Sequence, residues 1–143
     1  MSTAKLYTPQ VLGLAMELAR WPLLPDAVAV GEARSPTCGS TIALGLRQDG
    51  AGRVTDFGMQ VRACAIGQAA AALFGRSIVG RDAAEIGSAL DAIAAWLAGE
   101  RTLPDWPGLE LLEPARDYPA RHGAILLPWQ AAMAALFPAP FPA

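Results

Sequence analysis

Residues 40–61, "STIALGLRQDGAGRVTDFGMQV", decide how this chain folds. Ile42, Leu44 and Leu46 take alternate positions, and so do Phe57, Met59 and Val61. That period of two belongs to strands that bury one face. Between the runs, "QDGAG" supplies the Asp and Gly residues that turns require. Two alternating runs joined so closely form an antiparallel hairpin.

Upstream, "AVAVGEA" (27–33) also alternates and reads as a short third strand. Before it, "TPQVLGLAMELARW" (8–21) spaces Val11, Leu14, Leu18 and Trp21 as a helix does. Thr8 caps that helix, Pro9 sits in its first turn and Pro22 ends it. Downstream of the hairpin the period changes. "CAIGQAAAALFGRSIVG" (64–80) carries Ile66, Ala70, Leu73 and Phe74 on one side, and Gly80 fits a left-handed cap. In "RDAAEIGSALDAIAAWLAGE" (81–100), Ile86, Leu90, Ile93 and Leu97 mark the cleanest helical face of the chain. Prolines 104, 107, 114 and 119 break the next stretch into loop with at most a turn or two of helix. "AILLPWQAAMAALF" (124–137) resumes as helix, with Pro128 tolerated in its first turn. Strands followed by helices give an α+β domain: a three-stranded antiparallel sheet with helices packed on one face. The reading is one domain over 1–137, with no linker or internal repeat, and a frayed tail over 138–143.

Composition bounds the function. At 143 residues there is room for one core. A formal charge of -2 gives no electrostatic reason to expect nucleic acid. No apolar run approaches the roughly 18 residues of a membrane span, and the start lacks a signal sequence, so a cytoplasmic protein is expected. The two cysteines are then expected as free thiols. No phosphate loop, Ser/His/Asp spacing or paired CxxC appears, so no enzyme class is indicated.

What chemistry remains lies in three places. Cys38 stands in "SPTCGST", a turn just ahead of a strand. Cys64 stands where the second hairpin strand meets a helix, and a thiol at a helix N-terminus gains from the dipole and the free N–H groups. If the hairpin forms, both thiols lie at one edge of the sheet. The competing reading makes them small buried hydrophobes. His122, the only histidine, stands in "RHGAILLPW" (121–129) as a third ligand, a base, or an ordinary surface residue. Trp21, Trp96, Trp106 and Trp129 read as core or anchor residues.

Taken in order, these stretches resemble the iron–sulfur cluster assembly scaffold family of the NifU N-terminal domain, IscU and SufU, with SufU nearest. "LYTPQVLGLA" is similar to its opening helix, and "CGSTIALGLR" to its CGD motif and following strand. "RVTDFGMQVRACAIGQAAAALFGRSIVGR" is similar to its second cysteine motif, and "LEPARDYPARHGAILLPWQAA" to its third. The resemblance implies the same three-stranded fold, binding of zinc or an iron–sulfur cluster, and a cysteine desulfurase or other assembly protein as partner. A homodimer is compatible with it.

The ligand set implied by the family is three cysteines and the aspartate of CGD. Cys38 and Cys64 match the first two cysteines, with Gly39 beside Cys38. Ser40 stands at the aspartate position. Aligning Arg121 and Trp129 with the third motif puts Gly123 at its lysine and Ala124 at its cysteine. Structural zinc sites bind with about 10–16 kcal/mol, so losing two of four donors weakens binding by several kcal/mol. Three functions follow from this. The chain acts as a scaffold whose partner completes the ligands, with His122 as an extra donor. It acts as a metal-free paralogue working through protein–protein interaction. Or it acts as a dithiol redox protein, which needs Cα atoms within about 7 Å.

Overall fold

The structure, a computed structural model, describes residues 6–27 and 29–137. Strands β1 (Ala29–Arg34), β2 (Thr41–Gln48) and β3 (Val54–Arg62) pair antiparallel in the order β1-β2-β3. Helices α1 (Pro9–Met16), α2 (Ala65–Ser77), α3 (Ala83–Leu97) and α4 (His122–Leu136) complete it, with short 3-10 segments between. The α+β class and the antiparallel hairpin are as expected. The tail over 138–143 lies outside the described residues.

Alternation assigns the sheet's two faces. Leu44 and Leu46 are fully buried and Ile42, Phe57 and Met59 nearly so, facing the helices. α4 lies directly on β1, and Gly31 makes this close approach workable. A Cβ at Gly31 would collide with the backbone of Ala131 and come within 2.5 Å of the Ala135 nitrogen. On the outer face, Gly45 and Gly58 are cross-strand partners. Their bare backbone admits the connection out of α1: a Cβ at Gly58 would strike Pro22, and one at Gly45 would lie 2.7 Å from the Ala27 Cβ. That connection also covers the β3 edge, where the Met59 N–H donates to the Trp21 carbonyl at 2.9 Å.

The centre is aromatic. Phe74 meets Trp106 in parallel planes at 6.1 Å and Trp129 edge-on at 5.5 Å. The Trp106 indole N–H donates to the Leu73 carbonyl at 2.9 Å, and the Arg81 guanidinium lies 4.0 Å over its ring. α3 is held at its start by a reciprocal Asp82–Glu85 capping box, a device worth about 0.5–2 kcal/mol.

Several boundaries differ from expectation. The first helix turns 3-10 at Glu17–Arg20, and β1 starts at Ala29. α2 stops at Ser77; Gly80, at φ 92°, forms the turn beyond it, donating its N–H to the Val54 carbonyl. The proline-rich stretch holds a nine-residue 3-10 segment, Leu109–Asp117, entered through left-handed Gly108. 3-10 turns are frequent as connectors between elements, and this one holds Pro114 in its interior. A further 3-10 turn, Pro119–Arg121, runs straight into α4, which begins at His122. Pro128 is therefore buried in the interior of α4 rather than in its first turn, and the Ala124 carbonyl lacks the donor four residues on.

Candidate functional site

The sheet's end rung brings the two cysteines to one edge. Arg34 pairs with Thr41, and Thr41 with Arg62. Cys38 lies in the loop that closes this rung on one side. Cys64 follows Arg62 by two residues and is the N-cap of α2. Both are free thiols, Cys38 exposed and Cys64 half-buried.

The loop holding Cys38 is closed on itself: the Ser35 N–H donates to the Ser40 carbonyl at 2.9 Å, and the Gly39 N–H to the Ser35 carbonyl at 2.8 Å. Gly39, at φ 73°, supplies the left-handed residue this closure needs. Both serine hydroxyls then face the sulfur, Ser40 Oγ at 3.1 Å and Ser35 Oγ at 3.4 Å from Cys38 Sγ. The neutral thiol has one hydrogen to donate to either of them, and both can turn to donate to the sulfur once it ionises. These contacts, led by Ser35 and then Ser40, hold the Cys38 thiol below its ordinary pKa, with a smaller contribution from the Arg121 charge. Arg121 is itself oriented by Tyr7, whose hydroxyl accepts from its guanidinium at 3.3 Å.

The first turn of α4 wedges between the two cysteine-bearing segments. At Gly123 a Cβ would come within 2.5 Å of Ser35 Oγ, so the helix meets the Cys38 loop there. One residue on, Ala124 is fully buried, and its Cβ lies 3.2 Å from where a Gly67 Cβ would stand. Gly67 belongs to the first turn of α2, the turn that Cys64 caps. His122 opens α4, yet its Nε2 lies 3.2 Å from the Ala115 carbonyl and 3.0 Å from that of Arg116. Facing two acceptors, that nitrogen carries the proton and donates. Trp129 lies a further turn along and is fully buried, in the aromatic centre.

Sequence reasoning named Cys38, Cys64, Gly39, Ser40, Arg121, His122, Ala124 and Trp129, but passed over Ser35 and Tyr7. The signal for Ser35 was present: serines three residues before and two after a cysteine, in a turn, can both reach its sulfur. Among the described residues, no three His, Cys, Asp or Glu side chains gather where a metal ion could be held. Two thiols, one engaged imidazole and an alanine do not fit a four-donor metal centre on their own.

The model of the NifU-like N-terminal domain matches residues 5–105, which include both cysteines. The chain belongs to the NifU-like N-terminal domain family. A nitrogen-fixing NifU-like N-terminal protein from Brucella abortus is 34% identical to it, with a TM-score of 0.85 over 92% of each chain. This NifU-like chain also shares its fold with a protein of Fervidobacterium islandicum AW-1 described as an iron–sulfur cluster assembly scaffold for the SUF system. That match has 20% identity and a TM-score of 0.83, and covers 94% of this chain and 99% of the other. No curated protein matches the NifU-like chain. In family and fold it is a NifU-like N-terminal domain protein. Arg121–Trp129 fall beyond the residues matched by the family model. No helix among its described residues is long and apolar enough to cross a membrane.

Proposed function

We propose that this chain serves iron–sulfur cluster assembly as a partner-dependent member of the scaffold family, one that offers two thiolates and leaves the remaining donors to another molecule. The observation that carries this is the seating of Ala124 against α2's first turn, one residue from the Cys38 loop contact. In the motif alignment residue 124 takes the place of the family's third cysteine, and here it is an alanine. Ser40 supplies a neutral hydroxyl where the family has a carboxylate, and that hydroxyl already faces Cys38. His122 would have to give up two carbonyl acceptors to turn toward a metal. With two donors missing, zinc or a cluster held by this chain alone is weaker by several kcal/mol than in a complete site.

The partner supported by family membership is a cysteine desulfurase or another iron–sulfur assembly protein, met at the cysteine edge. A second reading, a metal-free paralogue acting only through contact with that machinery, is favoured by the same Ala124. The dithiol reading requires that an added oxidant take two hydrogens from Cys38 and Cys64 as a disulfide forms between them.

Anaerobic purification followed by zinc and iron analysis, and reconstitution with iron and sulfide with and without a cysteine desulfurase, tests the proposal. The expected result is substoichiometric metal alone and cluster absorbance only with the partner, lost in Cys38→Ser. Stoichiometric metal in the isolated chain, dependent on both cysteines, overturns it. Partner binding with no cluster under any loading selects the metal-free reading, and thiol trapping with mass measurement decides the dithiol one.

A further inference from the structure

We propose that the open part of the sheet's outer face, beside the cysteine edge, docks a short acidic segment of a partner protein, held between Arg34 and Arg62. The trough follows from the strands' composition. On the outer face β2 carries only Thr41 and Ala43 before Gly45, where the connection from α1 crosses. The flanking strands carry long side chains on the same rungs: Glu32 and Arg34 on β1, Gln60 and Arg62 on β3. Short residues down the middle and long ones on both sides leave a channel of about 440 Å³ along β2, running toward the Cys38 loop.

Its charge is unusual for this molecule. Arg34 and Arg62 are exposed and, among the described residues, neither forms an ion pair. Arg101 apart, every other described arginine has a carboxylate, carbonyl, hydroxyl or aromatic ring against it. The two bare guanidiniums share one rung, on the strands either side of Thr41. Among the described residues, Glu32 is the one acid lining the channel. A chain of net charge -2 thus presents a local positive excess beside its two thiols.

An acidic segment is the occupant that complements this excess. Two strand spacings, about 9.6 Å, separate the Cα atoms of Arg34 and Arg62, which suits carboxylates spread along a peptide. The channel is open along its length, and small-ligand sites normally bury most of their ligand. Exposed pairs of this kind bind weakly, steer association and fade with salt. This names the chemistry of the partner proposed above, and its test involves neither sulfur nor metal, so the two readings fail separately.

The test is fluorescence anisotropy of a labelled oligo-glutamate peptide titrated with the full chain. Binding is expected to weaken with added salt and by about tenfold in Arg34→Glu/Arg62→Glu. Arg101→Glu should bind as the parent does, and an oligo-lysine peptide should bind the doubly reversed variant better than the parent. Arg34→Gln/Arg62→Gln, which adds no repulsion, should lose most of the binding as well. Equal affinity of parent and both double variants, or no binding to the parent, overturns the proposal. So does displacement by inorganic phosphate as effective as by unlabelled peptide, which marks a small-anion site. Arginine-dependent capture by phosphatidylserine vesicles without peptide binding overturns it too, in favour of a membrane surface.

Discussion

Cys38 is the most chemically prepared side chain in the molecule, and its neighbours make it so. Two hydroxyls and a guanidinium favour the thiolate, and the loop that positions them is closed by its own backbone. In a Cys64→Ser background, the alkylation rate of Cys38 should rise with pH along a curve centred below that of an unperturbed thiol. Ser40→Ala and Ser35→Ala should each move that curve upward, and iodoacetamide labelling followed by mass spectrometry measures it. An unmoved curve in both variants would remove the serines from the account. Trp129 makes a different residue-scale case. Its indole nitrogen is buried with no hydrogen-bond partner among the described residues. Such a donor costs about 1–3 kcal/mol, so Trp129→Phe regains part of what its smaller ring loses. Trp106→Phe gives up a made bond to Leu73 and should cost more, a contrast that denaturant melts of the two variants resolve.

At the scale of elements, glycine sets how closely they approach. α4 rests on β1 with backbone against backbone at Gly31, and neither partner can retreat without tilting the helix. Gly31→Ala should destabilise by about 1–3 kcal/mol or somewhat more, as overpacking does. Gly13→Ala should not destabilise, since nothing lies within 4 Å of a Cβ there and helix propensity improves. Thermal melts of the pair check both. The segment after α1 is tied to α2 by Glu17 and Arg76, whose Nε and Nη2 each donate to one oxygen of the carboxylate. Those hydrogen bonds hold the Glu17 carboxyl below its ordinary 4.5, against the opposing effect of burial. A depressed folded pKa means the pair's stabilisation is complete above about pH 4.5 and is lost as pH falls through the folded value. The stability difference between the parent and Glu17→Gln should therefore be flat at neutral pH and shrink in acid. Denaturant titrations across that range read it directly.

For the whole molecule, three parts distant in sequence make one edge: the β1–β2 loop, the start of α2 and the start of α4. If residue 124 is the missing third donor, restoring it should restore binding. Ser40→Asp/Ala124→Cys should bind zinc stoichiometrically, and its melting temperature should climb with zinc concentration, as linkage requires. The parent's should stay nearly constant. Equal zinc responses in the two proteins would show that the vacancy at 124 has no bearing on metal affinity. The N-terminal "LY" belongs to the same assembly, because Leu6 enters the core while Tyr7 holds Arg121 beside Cys38.

Sequence by itself determined the hairpin, the helical faces and the class of the fold, because period-two and helical apolar spacing record burial locally. It also placed both cysteines at one sheet edge, since antiparallel pairing dictates which ends meet. Tertiary structure alone decided the start of α4 and with it the buried place of Pro128, because a 3-10 turn across Pro119 has no apolar period to reveal it. It decided too that Ser35 joins Ser40 around the Cys38 thiol and that His122 faces backbone carbonyls. Those outcomes depend on where α4 comes to rest, and that depends on the bare glycines at 31, 67 and 123, whose close contacts leave no trace in hydrophobic pattern.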